Sequence, residues 1–373
     1  MAGVYIHIPF CTQKCGYCDF YSIIRLKDKS EFIDALVKEI GLRAGEVDEK
    51  IKTIYFGGGT PSLLKKEELV IIFNALKEVY DFSFLEEITI EVNPDDITTE
   101  YLGDLKEIGF NRLSMGIQSF NDRILTYMNR RHGAEEAKIA VQLAKIAGFT
   151  NMSIDLIYGI PKMTDQEWKH TIDTAIELDV IHISAYHLTF EPGTPFYKNL
   201  KRNIVSEIDD KESVSQYNTL ITKLTSAKFN DYEISNFCKE GFESKHNSNY
   251  WTGNSYVGLG PSAHSYTNNR RRWNVSDLKK YITNISQDKV FYETETLTEK
   301  DLYNELIMLG LRTSKGVYLN SMNNFSAIFM DEFKQIKQKN IKAKKLIEEQ
   351  GYLKVRRESK FLTDQIISDF FIV

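Results

Sequence analysis

The sequence has no long apolar segment and little cysteine. None of its 373 residues lies in a run approaching the ~20 consecutive apolar residues that a membrane-spanning helix needs. The opening residues, MAGVYIHIPF, lack the basic region and apolar core of a secretory signal peptide. Four cysteines are too few for a disulfide framework in a chain of this length. We therefore expect a globular protein of the cytoplasm.

The charge is not strongly of one sign either. The formal net charge is -5, with acidic and basic residues spread along the chain. The chain as a whole thus lacks the electrostatic signature of a dedicated nucleic-acid binder. Two basic stretches, residues 270–272 and 331–360, are interpreted as solvated faces. Nucleic acid is not an expected partner, although a small C-terminal domain keeps that alternative open.

Six short segments rich in β-branched and aromatic residues alternate with longer segments of helical periodicity. The predicted strands are 4–8, 53–56, 88–92, 112–117, 151–157 and 181–188. The predicted crossover helices are 32–44, 66–79, 99–108, 134–148 and 166–178. This alternation predicts an α/β fold with a parallel sheet, either open or curved like a barrel. Functional groups are then expected at the carboxyl ends of the strands.

The pattern changes beyond residue 188. A helix is predicted over 206–227, a short strand over 231–234, an amphipathic helix from 297, another helix over 334–350 and a β-hairpin over 351–365. We divide the chain into a barrel with its extension (1–235), a connecting segment (236–296) and a compact C-terminal domain (297–373). The C-terminal domain is expected to be α+β and to resemble a winged helix.

Three cysteines stand close together after the first predicted strand. Cys11, Cys15 and Cys18 have the spacing C-x3-C-x2-C. A structural zinc site takes four ligands, usually in two CxxC-like pairs, and no second pair exists. Three thiolates suit three corners of a 4Fe-4S cluster, which leaves one iron for a ligand from outside the protein. Cys238 stands alone and is expected to be a small buried side chain.

The segment CTQKCGYC, with an aromatic residue before its third cysteine, resembles the signature of the radical S-adenosylmethionine (SAM) superfamily. The resemblance implies a partial (β/α)6 radical SAM barrel, a 4Fe-4S cluster on the three cysteines and SAM chelated to the free iron. The segment YFGGGTPS is weak alone, and no Gly-Lys-Ser/Thr follows that would make it a phosphate loop. Beside the cysteines it resembles the superfamily's glycine motif, which places Gly58, Gly59 and Thr60 against the methionine moiety of SAM.

The ends of the later predicted strands, and the segment after the fourth, carry isolated polar residues. A carboxylate suits ribose hydroxyls, and an arginine suits a carboxylate. Each of these side chains alone would more often be solvated or hydrogen-bonded within the fold. The family resemblance implies that several of them line the SAM pocket: Tyr5, Tyr17 through its backbone, Glu91, Gln118, Arg130 and Asp155.

Six longer segments narrow the resemblance: YIHIPFC, GGGTPS, EVNPD, SMGIQSFND, IDLIYGIP and LTFEPGTPF. Together they are similar to the branch of oxygen-independent coproporphyrinogen III oxidase and its haem-chaperone relatives. The oxidases carry a further cysteine two residues after the third, where this chain has Phe20, and a longer segment before the first strand. The hexapeptide HNSNYW matches a haem-linked motif, H-N-x-x-Y-W, of the chaperones. We therefore expect a haem chaperone and keep the oxidase as the alternative.

The resemblance implies that haem is bound by His246, Tyr250 and Trp251. A neutral imidazole ligates haem iron, and the two aromatic side chains offer flat apolar surface to a porphyrin. The hexapeptide alone would more often be a capped turn with two core aromatics, and His187 and His264 are competing imidazoles.

A chaperone role implies haem and an acceptor haemoprotein as partners, with respiratory-chain proteins among the candidates. It also implies peripheral membrane association through the acceptor and allows a homodimer. Whether SAM is cleaved or only structural stays open.

Overall fold

The computed structural model describes residues 2–289 and 292–372. The strands are β1 (Ala2–Ile8), β2 (Ile51–Gly58), β3 (Glu87–Val92), β4 (Arg112–Gln118), β5 (Asn151–Tyr158), β6 (His182–His187), β7 (Asn230–Asp231), β8 (Asn236–Cys238), β9 (Tyr256–Leu259), β10 (His264–Thr267), β11 (Arg270–Asn274), β12 (Tyr292–Thr296), β13 (Val317–Tyr318), β14 (Leu346–Glu349) and β15 (Tyr352–Val355). The α-helices are α1 (Lys29–Leu42), α2 (Lys66–Val79), α3 (Thr99–Ile108), α4 (Asp122–Tyr127), α5 (Ala134–Ile146), α6 (Asp165–Glu177), α7 (Pro195–Lys201), α8 (Asp210–Ser226), α9 (Lys245–Trp251), α10 (Leu278–Ser286), α11 (Glu299–Leu311), α12 (Ala327–Lys342) and α13 (Thr363–Phe370).

Strands β1 to β6 pair in parallel, in chain order, and form the partial barrel that the sequence predicts. The α/β fold class and the six alternations are therefore confirmed. Capping residues in the local sequence determine where the crossover helices begin and end. Helix α3 starts after Thr98, whose side chain accepts a hydrogen bond from the N–H of Tyr101, and stops at Gly109, whose φ of 115° is left-handed. Both are standard helix-terminating arrangements.

The sheet is wider than the six predicted strands. Its twelve described strands run in the order β12-β11-β10-β9-β1-β2-β3-β4-β5-β6-β8-β7. Strand β9 adds to β1 in parallel, and β10 to β12 continue as an antiparallel meander. On the other side β8 and β7 pair antiparallel with β6. The predicted strand over 231–234 was wrong in its bounds, because this stretch falls mostly between β7 and β8.

The C-terminal domain has its own hydrophobic cluster, centred on Tyr303, Ile307 and Leu353. Its three-stranded sheet has the order β13-β15-β14. The order α11, β13, α12, β14, β15 along the chain agrees with the expected winged-helix-like α+β fold.

Two bounds in this domain were wrong. Helix α12 ends at Lys342 and residues 346–349 form β14, because Lys344 takes a left-handed φ of 57° that breaks the helix. The hairpin joins β14 to β15 through Gln350 and Gly351, which both have positive φ, as a two-residue turn requires. Residues 357–370 are therefore helical instead of forming the second hairpin strand.

A buried carboxylate ties the meander to the barrel helices. Glu39 in α1 is 0% exposed and accepts four hydrogen bonds. The donors are Arg43 Nη1 (3.2 Å), Asn274 Nδ2 (2.7 Å), Tyr281 Oη (2.7 Å) and the N–H of Gly260 (2.8 Å). One side chain thus joins α1, β11, α10 and the end of β9. No helix among the described residues is both long and apolar enough to span a membrane.

We predict that Glu39→Gln lowers the free energy of unfolding by about 2 kcal/mol, because it removes the buried anion that accepts four hydrogen bonds. Arg43 keeps its ion pair with Glu46 (2.6 Å), which limits the loss. A thermal or urea unfolding curve measures the change. Glu31→Gln, on the exposed side of the same helix, is the matched control and should lower stability by less than about 1 kcal/mol. Equal effects of the two substitutions would contradict a dominant role for the buried network.

Candidate functional site

The three clustered cysteines lie on the loop that follows β1, at the carboxyl end of the barrel. Cys11 is buried, and Cys15 and Cys18 are half-buried. The Thr60 hydroxyl donates to Cys11 Sγ (3.4 Å), and Arg130 Nη1 donates to Cys15 Sγ (3.3 Å). Burial, and then the neighbouring thiols Cys15 and Cys11, raise the pKa of Cys18 to about 11. A nearby cation would favour the Cys18 thiolate.

Arg130 connects the cysteine loop to two other strand ends. Its Nη2 donates to Asn93 Oδ1 (2.8 Å) and to the carbonyl of Gly116 (2.6 Å). Asn93 Nδ2 in turn lies 3.5 Å from Thr60 Oγ1. The Nε of Arg130 is buried and has no hydrogen-bond partner among the described residues. A guanidinium held in this way is suited to receive a carboxylate.

Two buried carboxylates, Glu91 in β3 and Asp155 in β5, lie on strands of the same barrel. Glu91 accepts from Tyr55 Oη (2.8 Å) and from the N–H of Gly58 (3.1 Å). Burial, and then the charge of Asp155, raise the pKa of Glu91 to about 7. Burial likewise raises the pKa of Asp155 to about 6, against the effect of a hydrogen bond from Ser184. Such groups are suited to accept hydrogen bonds from hydroxyls or to face a cation.

The remaining residues predicted for SAM are Tyr5, Tyr17 and Gln118. The Tyr5 ring stacks on that of Tyr55 at 6.1 Å, and its hydroxyl lies 3.2 Å from His7 Nδ1. Tyr17 lies in the cysteine loop, where burial raises the pKa of its hydroxyl. Gln118 ends β4 after an irregular register, with a left-handed φ of 71°. Tyr17 and Gln118 therefore lie at the carboxyl end of the barrel, whereas Tyr5 lies midway along β1, with its ring 6.5 Å from that of His246.

The glycines after β2 are required by packing against the cysteine loop. A Cβ on Gly59 would lie 2.6 Å from the Phe10 carbonyl oxygen, and one on Gly58 would lie 2.6 Å from the His7 ring. A Cβ on Gly57 would lie 3.0 Å from Glu91 Oε1. The absence of side chains in this segment thus allows it to approach the Phe10 carbonyl, the His7 ring and Glu91.

The cysteines do not form a site for a single metal ion. Among residues 2–289 and 292–372, no three His, Cys, Asp or Glu side chains converge in a way that could hold one ion. A 4Fe-4S cluster makes a different demand, because each thiolate binds a separate iron. Three partly desolvated thiols on one loop, with donors from Thr60 and Arg130, fit that demand.

The segment HNSNYW lies at the opposite end of the barrel. It forms α9, which Ser244 caps through a hydrogen bond from the N–H of Asn247. The backbone N–H groups of Lys245 and His246 donate to Glu87, the first residue of β3. The helix therefore packs under the amino ends of the strands, away from the cysteines.

The side chain of His246 is enclosed on all sides. Its Nδ1 lies 2.9 Å from Thr53 Oγ1, and its Nε2 lies 2.9 Å from Tyr250 Oη. Burial, and then Arg112, lower the pKa of His246 to about 3, so the ring is neutral. The Trp251 ring lies 6.0 Å from the Arg312 guanidinium of the C-terminal domain. His246 thus has a suitable charge state for a haem ligand but is not accessible in this conformation.

The two competing imidazoles have different surroundings. His187 Nε2 lies 3.0 Å from Ser213 Oγ, and its ring packs edge-on against Tyr158. His264 is exposed and stacks on Trp273 at 5.9 Å. His264 is thus the more accessible of the two.

Sequence reasoning missed three residues of these sites. Asn93 lies inside the quoted segment EVNPD and bridges Arg130 to Thr60, so the motif itself was the signal. Glu87 and Arg112 begin β3 and β4 and are 2% exposed each. Their positions look like ordinary strand ends, and nothing local in the sequence indicates that both are buried.

The chain matches two known family models. Residues 5–175 match the model of the radical SAM superfamily, and residues 297–365 match that of the HemN C-terminal domain. Over 99% of this chain and 89% of the other, the fold is similar to that of coproporphyrinogen III oxidase (HemN) from Escherichia coli, with a TM-score of 0.85 and 24% identity. The barrel and its cysteine loop define a radical SAM protein, a class named for the cofactor that its 4Fe-4S cluster binds.

Sequence comparison gives the narrower assignment. The chain is 38% identical over 321 residues to the heme chaperone HemW of Bacillus subtilis, covering 85% of each chain. It is 35% identical over 323 residues to the heme chaperone HemW of Lactococcus lactis, covering 86% of this chain and 84% of the other. The protein belongs to the HemW family.

We predict that Glu91→Gln stabilises the protein lacking cluster and SAM at pH 8 but not near pH 4.5. The folded carboxyl has a pKa of about 7, raised from 4.5, so between these values the folded state binds more protons. Wild-type stability therefore falls as pH rises through this interval, by up to about 3 kcal/mol. Thermal midpoints of both proteins between pH 4.5 and 8 measure the difference. Glu100→Gln, on the exposed surface of α3, should show no such trend.

Proposed function

We propose that the protein is a haem chaperone that holds a 4Fe-4S cluster and SAM, binds haem and passes it to an acceptor haemoprotein. The observation that carries this proposal is the identity of 38% to a heme chaperone, spread over 85% of both chains. The likeness to HemN supports a common fold and does not extend to its reaction. At the position where the oxidases have a further cysteine, Phe20 is 63% exposed.

The mouth of the barrel is proposed to hold the cluster and SAM. Cys11, Cys15 and Cys18 would hold three irons, and SAM bound to the fourth would supply a sulfonium that a reduced cluster can cleave. The protein's own groups do the positioning. Arg130 would receive the SAM carboxylate, and Glu91 and Asp155 would accept hydrogen bonds from its hydroxyls. The segment of Gly58, Gly59 and Thr60 would contact its methionine moiety. Tyr5, Tyr17 and Gln118 complete the proposed pocket.

The proposals for the domain boundary, the acceptor and the oligomeric state rest on the family and on the packing of the domains. A division near residue 297 is supported by the separate hydrophobic cluster of the C-terminal domain. The acceptor is proposed to be a haemoprotein, with respiratory-chain proteins as candidates, and docking on such an acceptor would bring the chaperone to a membrane. A homodimer is the proposed assembly.

The cluster assignment predicts a clear difference between cysteines. After anaerobic reconstitution, Cys15→Ser should lose most of its bound iron and sulfide and the broad visible absorption of the cluster. Cys238→Ser is the control, because Cys238 is likewise a free cysteine but lies in β8, remote from the loop. The assignment fails if the two variants retain the same iron content.

Haem binding is tested by titrating haem into the reconstituted protein. We expect a saturable Soret change at about one haem per chain. His246→Ala should alter the spectrum of the bound haem, and added imidazole should restore it, because the ring supplies an axial ligand. His264→Ala should leave the spectrum unchanged.

Other outcomes of the haem titration would change or refute the proposal. If only His264→Ala abolishes the saturable Soret change, the axial haem ligand would be assigned to His264 in the meander. No saturable change in the wild type would refute the chaperone proposal. Protoporphyrinogen formed anaerobically from coproporphyrinogen, SAM and a reductant would instead establish the oxidase.

A further inference from the structure

Helix α9 lies under the barrel, where one buried carboxylate binds its first backbone N–H groups and Lys245 Nζ pairs with Glu86 (2.6 Å). Glu87 is 2% exposed and accepts hydrogen bonds from the N–H groups of Lys245 (3.0 Å) and His246 (2.9 Å). Thr53 bonds to the His246 ring and also accepts from Asn249 Nδ2 (3.3 Å). This closed arrangement keeps the ring of His246 out of reach of any ligand.

The same carboxylate has a second, poorly satisfied neighbour. Arg112 is 2% exposed, and its Nε lies 3.9 Å from Glu87 Oε2, the oxygen that accepts from Lys245. This Nε has no hydrogen-bond partner in the described part of the chain. A buried guanidinium at this distance from its anion has lost hydration without gaining the paired hydrogen bonds that would offset the loss. The Nε of Arg112 is therefore a buried donor that a shift of Glu87 would satisfy, while the charge of Arg112 also acts on Asp155.

The segment that carries α9 lies between two glycines in left-handed backbone conformations. Gly241 has a φ of 82° and Gly253 a φ of 67°. A Cβ at either position would meet no atom within 4 Å. Both glycines thus lie in open surroundings where the backbone is free to change its dihedral angles, as hinge positions require.

We propose that α9 is a latch over the haem-binding residues and that Glu87 exchanges between two partners. In the closed state Glu87 binds the N–H groups of α9. In the open state α9 moves away, Glu87 pairs with Arg112, and His246 and Tyr250 become accessible. The ion pair between Glu87 and Arg112 offsets part of the free energy lost when the hydrogen bonds from α9 to Glu87 break. The identity of the ligand rests on the proposed function, whereas the latch itself is measurable without haem.

Hydrogen exchange of the full-length protein tests the latch. Arg112→Met removes the open-state partner of Glu87 and, in the closed state, the guanidinium whose Nε lacks a hydrogen bond. Exchange over residues 245–251 should therefore become at least about fivefold slower, at the low end of typical coupling between sites. Arg112→Lys keeps the cation and should return the rate towards that of the wild type. If the ion pair of Arg112 and Glu87 only stabilises the fold, Arg112→Met should make exchange over residues 245–251 faster. Unchanged or faster exchange in this variant therefore overturns the latch.

The wild type provides a second measurement in case Arg112→Met does not fold. The α9 amides should exchange by local opening, with little dependence on low concentrations of denaturant. The amides of β3 and β4 should exchange only through global unfolding. If the α9 amides follow global unfolding too, no latch exists.

Haem kinetics connect the latch to the proposed function. The association rate of haem should fall in Arg112→Met by the same factor as the exchange rate, because only the open fraction binds. Haem association that is unaffected while exchange slows would show that α9 does not gate the site. If the wild type binds no haem, the proposed function fails, and the exchange experiments still decide whether the latch exists.

Discussion

The six parallel strands point polar side chains into the interior of the barrel, and each of these groups needs a partner where water has little access. Burying a polar group without a partner is unfavourable, and burying a charge is more so. At the mouth, Glu91 and Asp155 satisfy the demand in part by taking up protons more readily, as their raised pKa values show. A charged cofactor with hydroxyls meets the same demand. The suitability of the barrel mouth for a charged cofactor thus follows from the need of these buried polar groups for partners.

The same constraint explains why the chain folds back under the barrel after β8. Glu87 and Thr53 point towards the amino ends of the strands, where parallel sheets leave inward-facing groups uncovered. Helix α9 supplies two backbone donors to Glu87 and an imidazole to Thr53. Strand β9 then returns beside β1 and extends the sheet. The connecting segment is therefore part of the barrel's own hydrogen bonding, in addition to carrying the motif linked to haem.

The sequence predicts the barrel well because β1 to β6 and their helices are long and strongly periodic. The strands of the meander were missed because they are short and charged, as in Arg270–Asn274 and Tyr292–Thr296. The cysteines and the residues proposed for SAM were indicated by short motifs that resemble those of the radical SAM superfamily, within or just after the predicted strands. The surroundings of His246 could not be predicted, since they depend on Glu87 and Arg112, which are far away in sequence. Long-range burial of single polar residues leaves no local pattern.

The two ends of the barrel are connected by a shared aromatic wall. The Tyr55 hydroxyl bonds to Glu91 at the mouth, while its ring stacks on His246 at 5.0 Å. The charge of Glu91 also contributes to raising the pKa of Tyr250, after burial and Tyr256. Haem bound through His246 would therefore be separated from SAM by the Tyr5 and Tyr55 rings. This separation disfavours direct attack on haem by a radical formed at the mouth.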